Sequence, residues 1–273
     1  MATDNLKDVD SHFAFGQNWS SYAELIGAEQ IAQAKEALTK LVPQREFDGR
    51  SFIDIGCGSG LHAFAASQLG ASRILAVDID SHSVATAKRV LAGISQTPCE
   101  VEQVSVFDLD ASRIGKFDIV YSWGVLHHTG SMWEAIEKAA AIVAPNGLLV
   151  LAIYRKTHLD PFWKAEKRLY ARAPKWIQNG IRAAYVAAFR LALLATGRRF
   201  RTYIDTYKSR RGMDFYHDVH DWLGGYPYES ATAAQIGEKL TALGFKAERV
   251  FARPVEIGIF GSGCDEYTYR KIS

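Results

Sequence analysis

Cysteine is scarce: Cys57, Cys99 and Cys264 lie far apart in 273 residues. That spacing argues against a disulfide framework or a cysteine metal cluster and suits free thiols in a reducing compartment, so no metal ligand set is expected. The first residues, MATDNLKDVDSH, hold no apolar run, and the segment is not read as a signal peptide; the chain reads as cytoplasmic. No uninterrupted apolar stretch reaches the length of a membrane span. The most apolar tract, IRAAYVAAFRLALLATG, is short and carries Arg182 and Arg190. Internal repeats, low-complexity tracts and a recognisable RNA-binding module are absent too, so nucleic acid is not the expected partner.

Net charge is also nearly absent, at +2, but the mean is made of two opposed parts. From Arg155 to Arg211 there are 15 Lys and Arg against 3 Asp and Glu, a surplus of +12, which leaves −10 for the rest of the chain. Hydrophobic residues at 48% are enough for a packed core, and the length allows one large domain with an insertion.

What is present from Ser51 onward is alternation. SFIDIG, RILAVDID, VEQVSVFDL, FDIVYSW and LLVLAIY read as strands. LHAFAASQLG, SHSVATAKRVLAG and MWEAIEKAAAIVA read as helices between them, with Ser81 a candidate N-cap and PNG the turn before the fifth strand. This spacing predicts an α/β fold, a doubly wound and mostly parallel sheet. After Tyr154 the alternation stops. Helical patterns near Pro161–Arg172, Pro174–Leu194 and Phe200–Ser209 predict a helical insertion. A helix near Ala233–Leu243 and strands at FKAERVFA and EYTYRKI then complete a seven-stranded sheet. The organisation expected is an N-terminal helical cap (1–49), a core (50–154 and 230–273) and a basic helical lid (155–229).

The chemistry-bearing motif is FIDIGCGSG, where a strand runs into Gly56, Gly58 and Gly60 and then a helix. Glycines there let a ligand approach the backbone beside a positively polarised helix N-terminus. Leu61 stands where a dinucleotide fingerprint wants its third glycine, and Asp54 before the loop favours a cationic ligand over a pyrophosphate. Asp78 ends the second strand, where a carboxylate can accept from ribose hydroxyls, a role that fits a nicotinamide oxidoreductase equally well. Asp108 and Leu109 end the third, placed for an adenine amine and ring. The fourth strand closes in YSWGVLHHTG, bringing Ser122, Trp123, His127 and His128 to the same edge.

Together, FIDIGCGSG, AVDID, VFDLD, FDIVYSWGVLHH and PNGLLVLAIY resemble the motifs of class I S-adenosylmethionine-dependent methyltransferases, the small-molecule and ubiquinone-biosynthesis-like branches best. The resemblance covers roughly 50–154 and 230–272 and implies a Rossmann-like sheet that binds S-adenosyl-L-methionine. Carried onto this sequence, it implies that Asp54, Gly56, Cys57, Gly58 and Gly60 face the methionine part and that Asp78 and Ile79 face the ribose. Asp108 and Leu109 would face the adenine, Trp123 the sulfonium region, and Trp19 would belong to a cap over the cofactor. His127 and His128 are the candidate general bases. Tyr154, His217, Trp222 and Tyr226 are the candidate acceptor contacts. The expected reaction is methyl transfer to oxygen or nitrogen of a small-molecule, lipid-linked or glycan-linked metabolite. A nicotinamide oxidoreductase and a non-catalytic cofactor-binding or membrane-associated protein are the alternatives. The basic insertion has three readings: a solvated lid, a membrane-surface contact through 155–211, or a seat for a polyanion.

Overall fold

The computed structural model describes residues 26–94, 97–211, 215–261 and 263–272 and, of 208–211 and 217, the backbone alone. Trp19, with Phe13 and Phe15, lies outside the described residues. Helix α1 (Ala28–Leu41) starts after Gly27, whose backbone is extended. The alternating core follows as β1 (Ser51–Ile55), α2 (Leu61–Gln68), β2 (Arg73–Asp78), α3 (Ser81–Leu91) and β3 (Cys99–Gln103). It continues through α4 (Ala111–Ile114), β4 (Phe117–Trp123), α5 (Met132–Ala141) and β5 (Val143–Tyr154). The insertion holds α6 (Asp160–Arg172), α7 (Lys175–Ala195), α8 (Phe200–Arg211) and α9 (Phe215–Gly224). Helix α10 (Ala233–Ala242), β6 (Phe245–Phe251) and β7 (Cys264–Lys271) return to the core.

Three local expectations need correction, and one segment left open is settled. Strand β3 stops at Gln103, and Val106–Asp108 form a separate 3-10 turn in which the Ser105 hydroxyl accepts from the Phe107 N–H. Asp108 therefore lies beyond the strand rather than at its end. Val143 and Ala144, read as the end of a helix, begin β5, and the PNG segment is an irregularity inside that strand, with Asn146 at φ 59°. Asp80, not Ser81, caps α3, its carboxylate accepting from the His82 and Ser83 N–H groups. The His217–Asp221 segment is helical, a fourth insertion helix that the sequence pattern left open.

The seven strands form one sheet in the order β3-β2-β1-β4-β5-β7-β6. Neighbours from β3 to β5 are parallel, while β7 runs antiparallel to both β5 and β6. Alternation along each strand divides the side chains between two buried cores. On one face Phe52, Ala76 and Tyr121 pack under Leu38 of α1, Ala63 of α2 and Ala87 of α3. On the other, Ile53, Val120 and Leu149 pack under Ile136 of α5 and Leu240 of α10. Each fully buried Val, Leu, Ile or Phe side chain among them contributes about 1.5–3 kcal/mol. The chain winds one way from β1 through β2 to β3 and the other way from β4 to β5. The crevice at the carboxyl ends of β1 and β4 is therefore the topological switch point of the sheet.

The insertion has an aromatic core of its own: Trp163 and Tyr170 of α6 meet Phe215, Val219 and Leu223 of α9 and Tyr228 beyond it. The loop between β6 and β7 ties it down, the Trp163 indole donating to Gly258 O at 2.7 Å and Tyr185 to Phe260 O at 3.0 Å. A Cβ on Gly261, at φ 90°, would stand 1.9 Å from the Trp222 ring, so only glycine lets this loop lie on the indole. At the root of the insertion the buried Arg155 guanidinium donates to Asp265 at 2.9 Å.

Candidate active site

Strand β1 delivers Asp54 into the loop Gly56–Gly60, whose shape comes from three positive-φ glycines, Gly56, Gly58 and Gly60. A Cβ on Gly56 would lie 2.4 Å from the Val125 methyls, so this glycine lets the segment after β4 close onto the loop. The N–H groups of Gly56 and Cys57 donate to Val77 O at 2.8 and 3.0 Å. The Gly58 N–H donates to Asp78 Oδ2 at 3.0 Å, and Asp78 Oδ1 accepts from the Asp80 N–H at 2.9 Å. The expected pair of carboxylates thus meets at one loop, next to the first turn of α2, which no side chain caps.

The electrostatics of this edge are acidic. Asp54 is buried and its Oδ2 has no hydrogen-bond partner. Burial first, then the charge of Asp78, pushes its pKa up to about 7 against the opposing pull of the Ala63 N–H. Asp78 is raised too, by burial, with the N–H groups of Asp80 and Gly58 pulling it back. The Cys57 thiol is held well above its usual value by burial and by both carboxylates, which leaves it a poor nucleophile. His62, whose ring centroid is 5.3 Å from that of Tyr121, is lowered to about 4 by burial. Ser122 is buried and donates to Ile55 O at 3.0 Å. Trp123 is exposed at the end of β4, its indole N–H donating at 3.0 Å to Glu266, which also pairs with Lys40. Ile79 is half-buried, Asp108 is exposed, and Leu109 is buried with Val106 and Ile114.

A second cluster lies where β5 meets the insertion. The Tyr154 ring stands 3.9 Å from His127, 5.2 Å from both His128 and Trp222, and 5.5 Å from Tyr228, centroid to centroid. His127 is fully buried; its Nδ1 accepts from the Tyr154 N–H at 3.4 Å and its Nε2 has no partner. Burial holds it well below the ordinary imidazole range, so it stays neutral. His128 Nδ1 lies 2.8 Å from Pro227 O, an acceptor only, so Nδ1 carries the proton and Nε2 the basic lone pair of the neutral ring. Trp222 leaves its buried indole N–H without a partner, and Tyr226 is buried. His217 is on α9, but its side chain lies outside the description.

Sequence reading missed Lys167, Glu166, Tyr121 and His62. Lys167 is fully buried: its ammonium donates to Trp222 O and sits 3.5 Å from the Trp222 ring centroid and 5.4 Å from that of Tyr228. Burial lowers Lys167 and raises Glu166, each drawn back by the charge of the other. The available signal was the stripe Trp163, Lys167, Tyr170, which puts a lysine on the inward face of an amphipathic helix.

Residues 53–149 match the family model described as a methyltransferase domain. A ubiquinone biosynthesis O-methyltransferase from Rhodopseudomonas palustris is 30% identical over 117 residues, 43% of this chain and 43% of that protein. A ribosomal protein L11 methyltransferase from Lactobacillus acidophilus is 31% identical over 41% of this chain and 39% of that protein. The chain thus spans about two fifths of the length of these curated relatives. Magnesium protoporphyrin IX methyltransferase from Synechocystis PCC 6803 shares the fold across 99% of both chains, with a TM-score of 0.57 and 15% identity. The matched region runs from β1 to β5 and contains both carboxylates and the glycine loop, while the insertion and the histidine–tyrosine cluster's outer wall fall beyond it. The family model thus covers residues 53–149, and the fold around them is the one seen in that magnesium protoporphyrin IX methyltransferase.

Proposed function

We propose that the protein is an S-adenosylmethionine-dependent methyltransferase acting on oxygen or nitrogen of a small-molecule, lipid-linked or glycan-linked acceptor. The observation that carries this reading is the buried Asp54 carboxylate, one oxygen unpartnered, beside the half-buried Asp78 at the glycine loop. A cationic ligand there relieves the repulsion between Asp54 and Asp78 and takes up the orphaned oxygen. A dinucleotide pyrophosphate would add negative charge beside both, which weighs against the nicotinamide reading.

In this reading Asp54 and the loop Gly56–Gly60 hold the methionine part, Asp78 and Ile79 the ribose, and Asp108 with Leu109 the adenine, with Trp123 near the sulfonium. S-adenosylmethionine supplies an already activated methyl group. The protein's work is then mainly alignment, which lowers a barrier by roughly 7–11 kcal/mol in favourable cases. Tyr154, Trp222 and Tyr226 form an apolar wall for the acceptor, and the insertion covers it and excludes water. Of the two histidines, His128 is the better base, because its Nδ1 is fixed on Pro227 O and its Nε2 is left basic. His127, neutral and buried, holds Tyr154 in place. A lipid-linked acceptor would bring the basic insertion to a membrane surface.

Titration calorimetry with S-adenosylhomocysteine and with NAD tests the reading. Binding of the first and not the second is expected; binding of NAD alone overturns it.

A further inference from the structure

Helix α7 is apolar on two opposite sides. Its inner side, with Ile181, Tyr185 and Phe189, packs on the insertion's aromatic core. Its outer side presents Trp176, Gly180, Ala183, Ala187, Leu191 and Leu194, three or four residues apart and all exposed. Trp176 is 75% exposed, Leu191 66% and Leu194 56%, where a surface helix ordinarily turns polar side chains to water. The stripe runs the length of a 21-residue helix, about 31 Å.

The charge around this stripe is predominantly positive, with Asp205 the exposed carboxylate on the next helix. Between Pro161 and Ile204 eight Lys and Arg residues are exposed, whereas the one carboxylate in that stretch, Glu166, has both oxygens buried. Lys175 and Arg190 flank the stripe on α7 itself, and Arg198 and Arg199 follow its end. A second copy meeting the first through this face would set these cations against their own kind. No single described helix is long and apolar enough to cross a membrane; α7 and Phe200–Tyr207 reach that composition together only as a pair bent by 112°. An apolar stripe bordered by cations, on a helix that does not cross, matches a helix lying in the plane of a lipid interface.

We propose that the outer face of α7 docks the protein on anionic bilayer surfaces, with Trp176, Leu191 and Leu194 entering the headgroup–acyl boundary and Lys175 and Arg199 facing lipid phosphates. This docking stands apart from methyl transfer, since vesicle binding is read without cofactor or acceptor.

Flotation with vesicles of phosphatidylcholine, and of phosphatidylcholine mixed equally with phosphatidylglycerol, tests it. The protein floats with the mixed vesicles and not with the neutral ones. The triple variant Trp176→Ala, Leu191→Ala, Leu194→Ala lowers the partition coefficient by about tenfold or more. The double variant Lys175→Gln, Arg199→Gln lowers it by about fivefold for each cation removed. Circular dichroism and thermal unfolding of both variants stay like those of the parent, because every replaced side chain is exposed. Absence of flotation with the mixed vesicles overturns the proposal. So does self-association that the triple variant abolishes, which would assign the face to a second copy, and so does equal flotation of parent and triple variant.

Discussion

The two halves of the crevice are built on different principles. At the glycine loop a few short-range features do the work: three positive-φ glycines, two strand-end carboxylates and a helix start. At the mouth of the insertion, His127, Tyr154, Trp222, Tyr228 and Lys167 come from separate elements and meet only through tertiary packing. The first half is local in sequence and therefore carries a recognisable signature. The second is an aromatic assembly drawn from segments far apart in the chain, with no short signature of its own. That division suits the proposed reading, in which a cofactor site and an acceptor site are built separately.

The comparison can be broken from the insertion side first. Trp163→Ala removes a buried indole and its bond to Gly258 O, and is expected to cost about 3–5 kcal/mol in denaturant unfolding. Binding of S-adenosylhomocysteine, measured by calorimetry where the variant is folded, should change little. A collapse of binding would mean that the two halves are one unit.

His128→Ala should leave cofactor affinity intact and lower turnover by about a hundredfold or more if the acceptor loses a proton during transfer. Radiolabelled cofactor, a cell extract and mass spectrometry of the labelled product supply the assay. Unchanged turnover would remove the base role.

Asp78→Ala acts at the other half. It removes a carboxylate that both anchors Gly58 and is assigned to the ribose, and should weaken S-adenosylhomocysteine binding by about ten- to a hundredfold. Normal affinity would refute the ribose assignment.

Asp54 also sharpens the contrast through stability. Its folded-state pKa is raised from 3.8 to about 7, so the favourable contribution of its protonated form is complete below pH 3.8 and is lost as pH rises through about 7. Asp54→Asn should remove this loss and make the unliganded protein more stable above about pH 7, by an amount of the order of 4 kcal/mol. Urea unfolding at acid and alkaline pH measures it.

The same division governs what could be read from the chain. Strand–helix alternation and the glycine punctuation of β1 to β5 are local, so the sheet, its parallel sense and the carboxylates Asp54 and Asp78 were legible. Three insertion helices were legible too, because Trp163, Tyr170, Tyr185 and Phe189 recur at helical spacing. Helix α9 was not, since His217, Asp218, His220 and Asp221 look like a polar loop until Phe215, Val219 and Leu223 are seen to share the aromatic core. Lys167 was hidden because a lysine between Glu166 and Arg168 reads as surface charge, and only the box of indole and phenol rings accounts for its burial. The N-cap of α3 was misplaced by one residue because Asp80 and Ser81 are both good caps, and backbone geometry chose the aspartate.

The central claim is that the acidic edge of the sheet is shaped for a cation and that Asp54 ionises when the cation arrives. Calorimetric titration of S-adenosylmethionine at about pH 6, in two buffers of different ionisation enthalpy, counts the protons exchanged. The account predicts release of close to one proton per molecule bound, and none from Asp54→Asn; binding without proton release, or equal release from both proteins, would contradict it.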